Sequence, residues 1–160
     1  MQTRHKLFIV FLVMAMVWSI ADYIFHSTFL PQYDVFLLKA IIILFTATIV
    51  HFYLFASHYF QDGKGRWIPF AYFAIVLVTG MVSSGQIPKE FVIDGAQLYP
   101  RYGESVFFLA IPLLILIARS VFILWQRLKI LDNPVMRNQL LSIIFSIFIL
   151  VVFSSFAIVP

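Results

Sequence analysis

Residues 35–55 read VFLLKAIIILFTATIVHFYLF, with Lys39 as the only Lys, Arg, Asp or Glu in the stretch. The hydrocarbon core of a bilayer is about 30 Å thick, and a helix that rises about 1.5 Å per residue crosses it with about 20 apolar residues. Water cannot solvate so long an apolar run. The stretch Val35–Phe55 therefore predicts a membrane-spanning helix.

Four further apolar stretches, each bounded by polar residues, have lengths that suffice, or nearly suffice, to cross a bilayer. They are Leu7–Tyr23, Trp67–Val82, Ser105–Trp125 and Leu140–Val159. We therefore predict an all-α, polytopic transmembrane bundle of about five spans, with residues 1–160 forming one membrane domain.

The composition excludes an ordinary soluble domain. The chain is 62% hydrophobic and 11% charged, whereas soluble domains are about 45–50% apolar and about 25% charged. The longest segment outside the apolar stretches, Ser83–Glu104, is too short to build its own core. Any catalytic output domain must then lie outside these residues.

The first apolar segment could be mistaken for a signal peptide, because Arg4 and Lys6 precede it. The run is longer than a typical signal core and no A-x-A-like site follows it, so we interpret it as a retained span. The absence of cysteine excludes disulfides and thiolate metal sites. The net charge of +4 does not indicate nucleic acid, because the basic residues stand at span ends.

The distribution of Lys and Arg predicts the orientation, since basic loops stay on the cytoplasmic side. One set of flanks holds seven such residues: Arg4, Lys6, Lys64, Arg66, Arg127, Lys129 and Arg137. The opposite set holds three: Lys39, Lys89 and Arg101. We predict a multi-pass protein of the plasma (inner) membrane with a cytoplasmic N-terminus. The apolar ending Phe156–Pro160 and the odd span count predict a segment of a longer protein.

The loop between the third and fourth stretches is the one long enough to cover a pocket. Apolar and polar residues alternate around Phe91–Ile93, and Asp94-Gly95 follows, which is typical of a short β-hairpin; an interfacial lid is the other possibility. We call the segment Ile87–Gly103 the lid. Tyr99 and Arg101, both in the lid, are candidate ligand-binding residues.

Asp22 and His26 stand four residues apart near the outer end of the first span, and so on one helical face. A carboxylate there can orient or protonate an imidazole, and ionisable groups in a span are functional candidates by default. The alternative interpretation is that both side chains simply reach the outer interface.

Arg119 is the one basic residue well inside a span. Its side chain can extend to the cytoplasmic headgroups, or it can pair with an acid such as Asp62, and the sequence leaves both open. Pro112 in the same span should kink the helix.

His51 and His58 lie seven residues apart, a spacing that can present two axial haem ligands. A bis-histidine site needs a second pair, which the chain lacks apart from His26. We therefore expect no cofactor and no metal, with His51 hydrogen-bonded to a neighbouring helix and His58 at the interface. The chain also lacks a phosphate loop, a G-x-S-x-G elbow and an H-E-x-x-H helix, so we do not expect an enzyme.

The loop after the fourth span reads Trp125–Leu141, WQRLKILDNPVMRNQLL. It resembles a loop with an Arg-x-Gln-Leu-like ending in the N-terminal seven-transmembrane sensory region of bacterial histidine kinases and related diguanylate cyclases. Arg4–Ser19, Val50–Phe55 and the segment before Tyr99–Tyr102 resemble that region's second helix, third helix and lid. The five spans would correspond to its helices two to six.

That resemblance implies a sensor that passes a signal to a cytoplasmic output domain. It implies no shared ligand and no catalytic residues. Our first hypothesis is a sensory bundle, as a single copy or a homodimer, in which a cavity under the lid binds a small apolar ligand or the bundle senses the bilayer. Asp22, His26, Tyr99 and Arg101 would line the cavity, with Arg119 as a pivot between helices.

Two hypotheses of other classes remain. A small oligomeric transporter or channel subunit would use Asp22 and Arg119 as charges along its pathway. A haem or quinone electron carrier would use His51 and His58.

Overall fold

The computed structural model describes residues 3–27, 29–60, 66–94 and 97–158. Over these residues the chain forms a helical bundle with one small β-hairpin, so the predicted all-α bundle is confirmed. The α-helices are α1 (Thr3–His26), α2 (Asp34–Phe60), α3 (Ile68–Ser83), α4 (Val106–Leu128) and α5 (Pro134–Ile158). The strands are β1 (Glu90–Asp94) and β2 (Gln97–Arg101), and a 3-10 turn, Pro31–Tyr33, precedes α2.

Each helix covers most of a predicted span, and the ends differ by one to six residues, most at the start of α5 (Pro134 against the predicted Leu140). Most are longer than their apolar stretch, as at Val35–Phe55, which lies inside α2 (Asp34–Phe60). Hydropathy marks the part of a helix that suits hydrocarbon, whereas the backbone hydrogen bonds continue into the polar flanks.

Three helical stretches of the described chain are long and apolar enough to cross a membrane: His5–His26, Pro31–Tyr59 and Val106–Leu128. The helix Ile68–Ser83 is apolar but shorter. In α5 the side chains beyond Ile149 lie outside the described residues. A membrane protein is therefore supported, and the count of five spans stays a prediction.

Helices α1 and α2 pack antiparallel along a ladder of aromatic pairs. Phe11 follows Phe8 by three residues on α1, whereas its partner Phe52 precedes the partner of Phe8, Phe55, by three residues on α2. The pairs, with the distances between ring centroids, are Phe8–Phe55 at 5.2 Å, Phe11–Phe52 at 5.4 Å and Trp18–Phe45 at 5.5 Å. One register therefore holds over most of the length of α1.

The core of the bundle is centred on α2, which contacts α1, α3 and α4. Its largest cluster contains Tyr53 and Leu54 of α2, Ala74 of α3 and Leu116 of α4, all nearly or fully buried. The buried residues of α3 are small: Ala71, Ala74, Val78 and Val82. Small side chains let helix backbones approach closely. In lipid the hydrophobic effect does not drive helices together, so such close van der Waals packing is what holds them.

Asn133 caps the N-terminus of α5. Asn133 Oδ1 accepts hydrogen bonds from the backbone N–H of Val135 at 3.0 Å and of Met136 at 3.5 Å. Pro134 is the first helical residue, where its missing N–H costs nothing. This end of the bundle carries the basic residues Lys6, Arg66, Arg127, Lys129 and Arg137, among others. We call it the basic end, and the opposite end the hairpin end.

Candidate functional site

A cavity of about 900 Å³ lies at the hairpin end, bounded by the lid. Its described lining comes from the end of α3, the lid and the start of α4. These residues are Met81, Gly85, Gln86, Lys89, Glu90, Arg101, Gly103, Glu104, Ser105 and Phe108. The cavity thus joins three consecutive elements of the chain.

The lid is built on a β-hairpin, which confirms that prediction for residues 90–101. β1 and β2 pair antiparallel, with Glu90 opposite Arg101 and Val92 opposite Tyr99. The N–H of Lys89 donates to the carbonyl oxygen of Arg101 at 3.0 Å, which extends the pairing to the cavity wall. The alternation around Phe91 was therefore a reliable signal of local structure.

Ser105 fastens the lid to the start of α4. Its Oγ lies 2.7 Å from the carbonyl oxygen of Gln86 and 3.0 Å from that of Tyr102, so the single hydroxyl proton is shared between these two acceptors. Tyr102 is half-buried against the cluster that contains Ile87, and burial raises the pKa of its phenol. The Tyr102 ring thus packs from the lid onto that cluster.

The cavity carries charges of both signs. Glu90 and Arg101 approach to 3.8 Å across the hairpin. Lys89 and Glu104 line the cavity, and neither forms an ion pair with another described residue. The apolar ligand expected beneath the lid stays a prediction, and the charged lining can also bind a small polar ligand.

Two charged residues important to this cavity, Lys89 and Glu104, were not among our candidates. Both flank the hairpin, one immediately before β1 and the other shortly after β2. A hairpin brings the residues at its two ends together, so the predicted Asp94-Gly95 turn could have indicated Lys89 and Glu104 as candidates.

Asp22 and His26 form a local pair on α1. His26 Nδ1 lies 2.9 Å from the Asp22 carbonyl oxygen and 3.6 Å from Asp22 Oδ1; the His26 side chain is largely exposed, and that of Asp22 is partly exposed. They stand at the hairpin end as predicted, but neither is among the described residues that line the cavity. The structure therefore does not place Asp22 and His26 in the same cavity as Arg101.

Tyr99 and Arg101 both belong to β2, and two residues apart on a strand they share a face. Arg101 lines the cavity, whereas Tyr99 is half-exposed and is not part of the described lining. Of the four residues predicted around the cavity, Arg101 is the one that the structure places there.

Arg119 lies in the half of α4 nearer the basic end, far from the lid. Its guanidinium carbon stands 5.2 Å from the centre of the Phe122 ring, in a cation–π contact. Its Nε is buried and makes no hydrogen bond with the described residues. Tyr53 of α2 is close enough to the Arg119 guanidinium for the two side chains to interact electrostatically. The proposed partner Asp62 lies outside the described residues.

His51 and His58 bond within their own helix. His51 Nδ1 lies 2.8 Å from the Ala47 carbonyl oxygen, and His58 Nδ1 lies 3.0 Å from that of Leu54. The expected bond from His51 to a neighbouring helix is thus replaced by one to the preceding turn, whose carbonyl is within reach of the imidazole. In the described part of the chain, no three His, Asp or Glu residues come together as metal ligands.

Comparison with known proteins finds no matching family model, no similar curated protein and no similar solved structure. The fold and the apolar helices define the class: a helical membrane protein with a charged cavity at one end, which a hairpin bounds on one side. The resemblance to sensory regions of histidine kinases stays a prediction.

Proposed function

We propose that this chain is the membrane-embedded input domain of a signalling protein, whose cavity at the hairpin end binds a small zwitterionic ligand. The signal would pass to a cytoplasmic output domain outside this chain. The observation that supports the ligand is the presence of Lys89 and Glu104 in one cavity, each without a described counter-ion. A ligand with an amine and a carboxylate, such as an amino acid, would satisfy both charges.

The position of the cavity supports a signalling role. Met81 belongs to the last turn of α3, and Phe108 belongs to the first turn of α4, so a ligand contacts both helices at once. Both helices also pack on α2 in one shared core. A ligand that fits one relative position of α3 and α4 better than another shifts the population between them, as a sensor requires.

Thermal unfolding in lipid nanodiscs tests this proposal with the twenty amino acids as individual probes. A ligand at about 100 times its dissociation constant stabilises the folded protein by about 2.7 kcal/mol, which is a measurable rise in melting temperature. Lys89→Met and Glu104→Gln should each weaken binding of the active probe at least tenfold. Lys6→Met is the matched control, because Lys6 is exposed on α1 at the basic end.

Failure of every amino acid at millimolar concentration to raise the melting temperature would exclude the proposed ligand class. An equal loss of binding in Lys6→Met and Lys89→Met would exclude the cavity. Uptake of the active probe into proteoliposomes would instead favour the transporter hypothesis, because a sensor binds its ligand without moving it across the bilayer.

A further inference from the structure

A second cavity lies within the bundle, away from the lid. It is an apolar cleft of about 500 Å³ between α1 and α5, with α2 as its floor. Aromatic and aliphatic side chains make up most of its described lining. They include Phe8, Phe11 and Trp18 of α1, Phe45, Ile49 and Phe52 of α2, and Ile143 and Ile147 of α5.

At the basic end the cleft meets another cavity, the mouth, whose lining adds polar side chains to apolar ones. This mouth, of about 490 Å³, is lined by His5, Arg127, Tyr59 and Gln139 among others. Phe8, Phe52, Phe55 and Ile143 line both spaces, so cleft and mouth adjoin. The lining of the mouth is still mostly apolar, and its polar part includes the basic side chain of Arg127.

We infer that the cleft holds an acyl chain of an anionic phospholipid whose phosphate sits in the mouth. The distance from Phe8 to Trp18 along α1 is about 15 Å at a rise of about 1.5 Å per residue, which accommodates much of an acyl chain. An amphiphile with an anionic headgroup matches an apolar cleft that ends beside the Arg127 guanidinium.

Charge complementarity selects an anionic headgroup. The guanidinium of Arg127 can donate two parallel hydrogen bonds to phosphate oxygens. The acidic residues of the whole described basic end amount to Asp132, which does not line the mouth. Basic side chains near a bilayer surface favour anionic over zwitterionic lipids. The site does not depend on the ligand proposed for the lid cavity.

Trp18 provides a direct test, since it lines the cleft at the end away from the mouth. Trp67→Phe and Trp125→Phe remove the other two tryptophans, both of which are partly exposed. The resulting protein is reconstituted in phosphatidylcholine that contains increasing fractions of phosphatidylglycerol brominated on its acyl chain. Bromine quenches tryptophan fluorescence on contact. Brominated phosphatidylcholine is the reference quencher.

We expect half-maximal quenching of Trp18 at a mole fraction about fivefold lower for brominated phosphatidylglycerol than for brominated phosphatidylcholine. Arg127→Gln should abolish this preference, and raised salt should weaken it. Arg66→Gln is the control, because Arg66 is exposed at the same end without lining the mouth. Added inorganic phosphate should leave quenching unchanged, because a free anion does not bring an acyl chain.

Three results would overturn the inference. Equal quenching by the two lipids would mean that the cleft is ordinary lipid-facing surface. Protection of Trp18 from both quenchers would mean that protein, such as a second copy of the chain, covers the cleft. Loss of the preference in Arg66→Gln, as large as in Arg127→Gln, would assign it to general surface charge and not to the mouth.

Discussion

Glu90 and Arg101 face each other at the open end of the hairpin, with Glu90 Oε2 3.8 Å from Arg101 Nη1. The two residues are directly paired in the strand register, so the backbone itself brings the charges together. Both side chains are more than half exposed. Solvent therefore screens their attraction, and the pair serves to arrange charge at the cavity wall more than to stabilise the fold.

The Glu90–Arg101 pair should contribute little to stability. A double-mutant cycle of Glu90→Gln and Arg101→Gln, followed by thermal unfolding, should give a coupling free energy below about 1 kcal/mol. Arg101→Gln should nevertheless weaken binding in the lid cavity, because it leaves Glu90 uncompensated there. A coupling energy of several kcal/mol would mean that the pair is dry and structural.

Gly103 closes the cavity in a conformation that other residues rarely adopt, with φ of +62°. A Cβ there would also lie 3.3 Å from Lys89 Cδ. Gly103→Ala should therefore lower the free energy of unfolding by roughly 1–2 kcal/mol, the cost of placing a side chain in the left-handed region. Gly80→Ala is the control, since a Cβ at Gly80 of α3 meets nothing within 4 Å. Equal destabilisation of the two variants would contradict this account.

Close packing of α3 on α2 should make Ala74 intolerant of larger side chains. Ala74 is fully buried in the central cluster, so Ala74→Leu should destabilise the protein by about 1–3 kcal/mol through overpacking. Ala118 of α4 is exposed, so Ala118→Leu should leave the melting temperature nearly unchanged. A tolerated Ala74→Leu would show that α3 is not held tightly against α2.

The sequence predicted the helices well because long apolar runs such as Val35–Phe55 have few alternatives in a bilayer. It did not predict which face of α2 packs against α1, because residues facing lipid are as apolar as those facing protein. The register between Phe8 and Phe55 therefore needed the three-dimensional structure.

The same limitation affected the candidate site. Hydropathy gives the depth of a residue in the membrane but not its direction around the helix axis. Asp22 and Arg101 were correctly placed at the same end of the bundle, yet Asp22 is not among the described residues of the lid cavity.

Arg119 offers a test of the two interpretations left open by the sequence. Arg119→Met removes a cation–π contact to Phe122 worth about 0.5–1 kcal/mol, and it also removes the desolvation cost of a partly buried guanidinium. If Arg119 extends toward headgroups, stability should change by less than about 1 kcal/mol. If it pairs with Asp62, Arg119→Met should cost about 3–5 kcal/mol, and Asp62→Asn should reduce that cost.

The predicted orientation can be measured directly, because the chain contains no cysteine to interfere. Arg137→Cys and Glu104→Cys place single thiols at exposed positions on opposite ends of the bundle. A membrane-impermeant maleimide applied to intact cells should label the Glu104→Cys variant, whereas the Arg137→Cys variant should react only after the cells are opened. Basic flanks resist translocation, so the end that carries Arg137 should stay in the cytoplasm. The opposite labelling would place the lid cavity inside the cell, where its ligand would be a cytoplasmic metabolite.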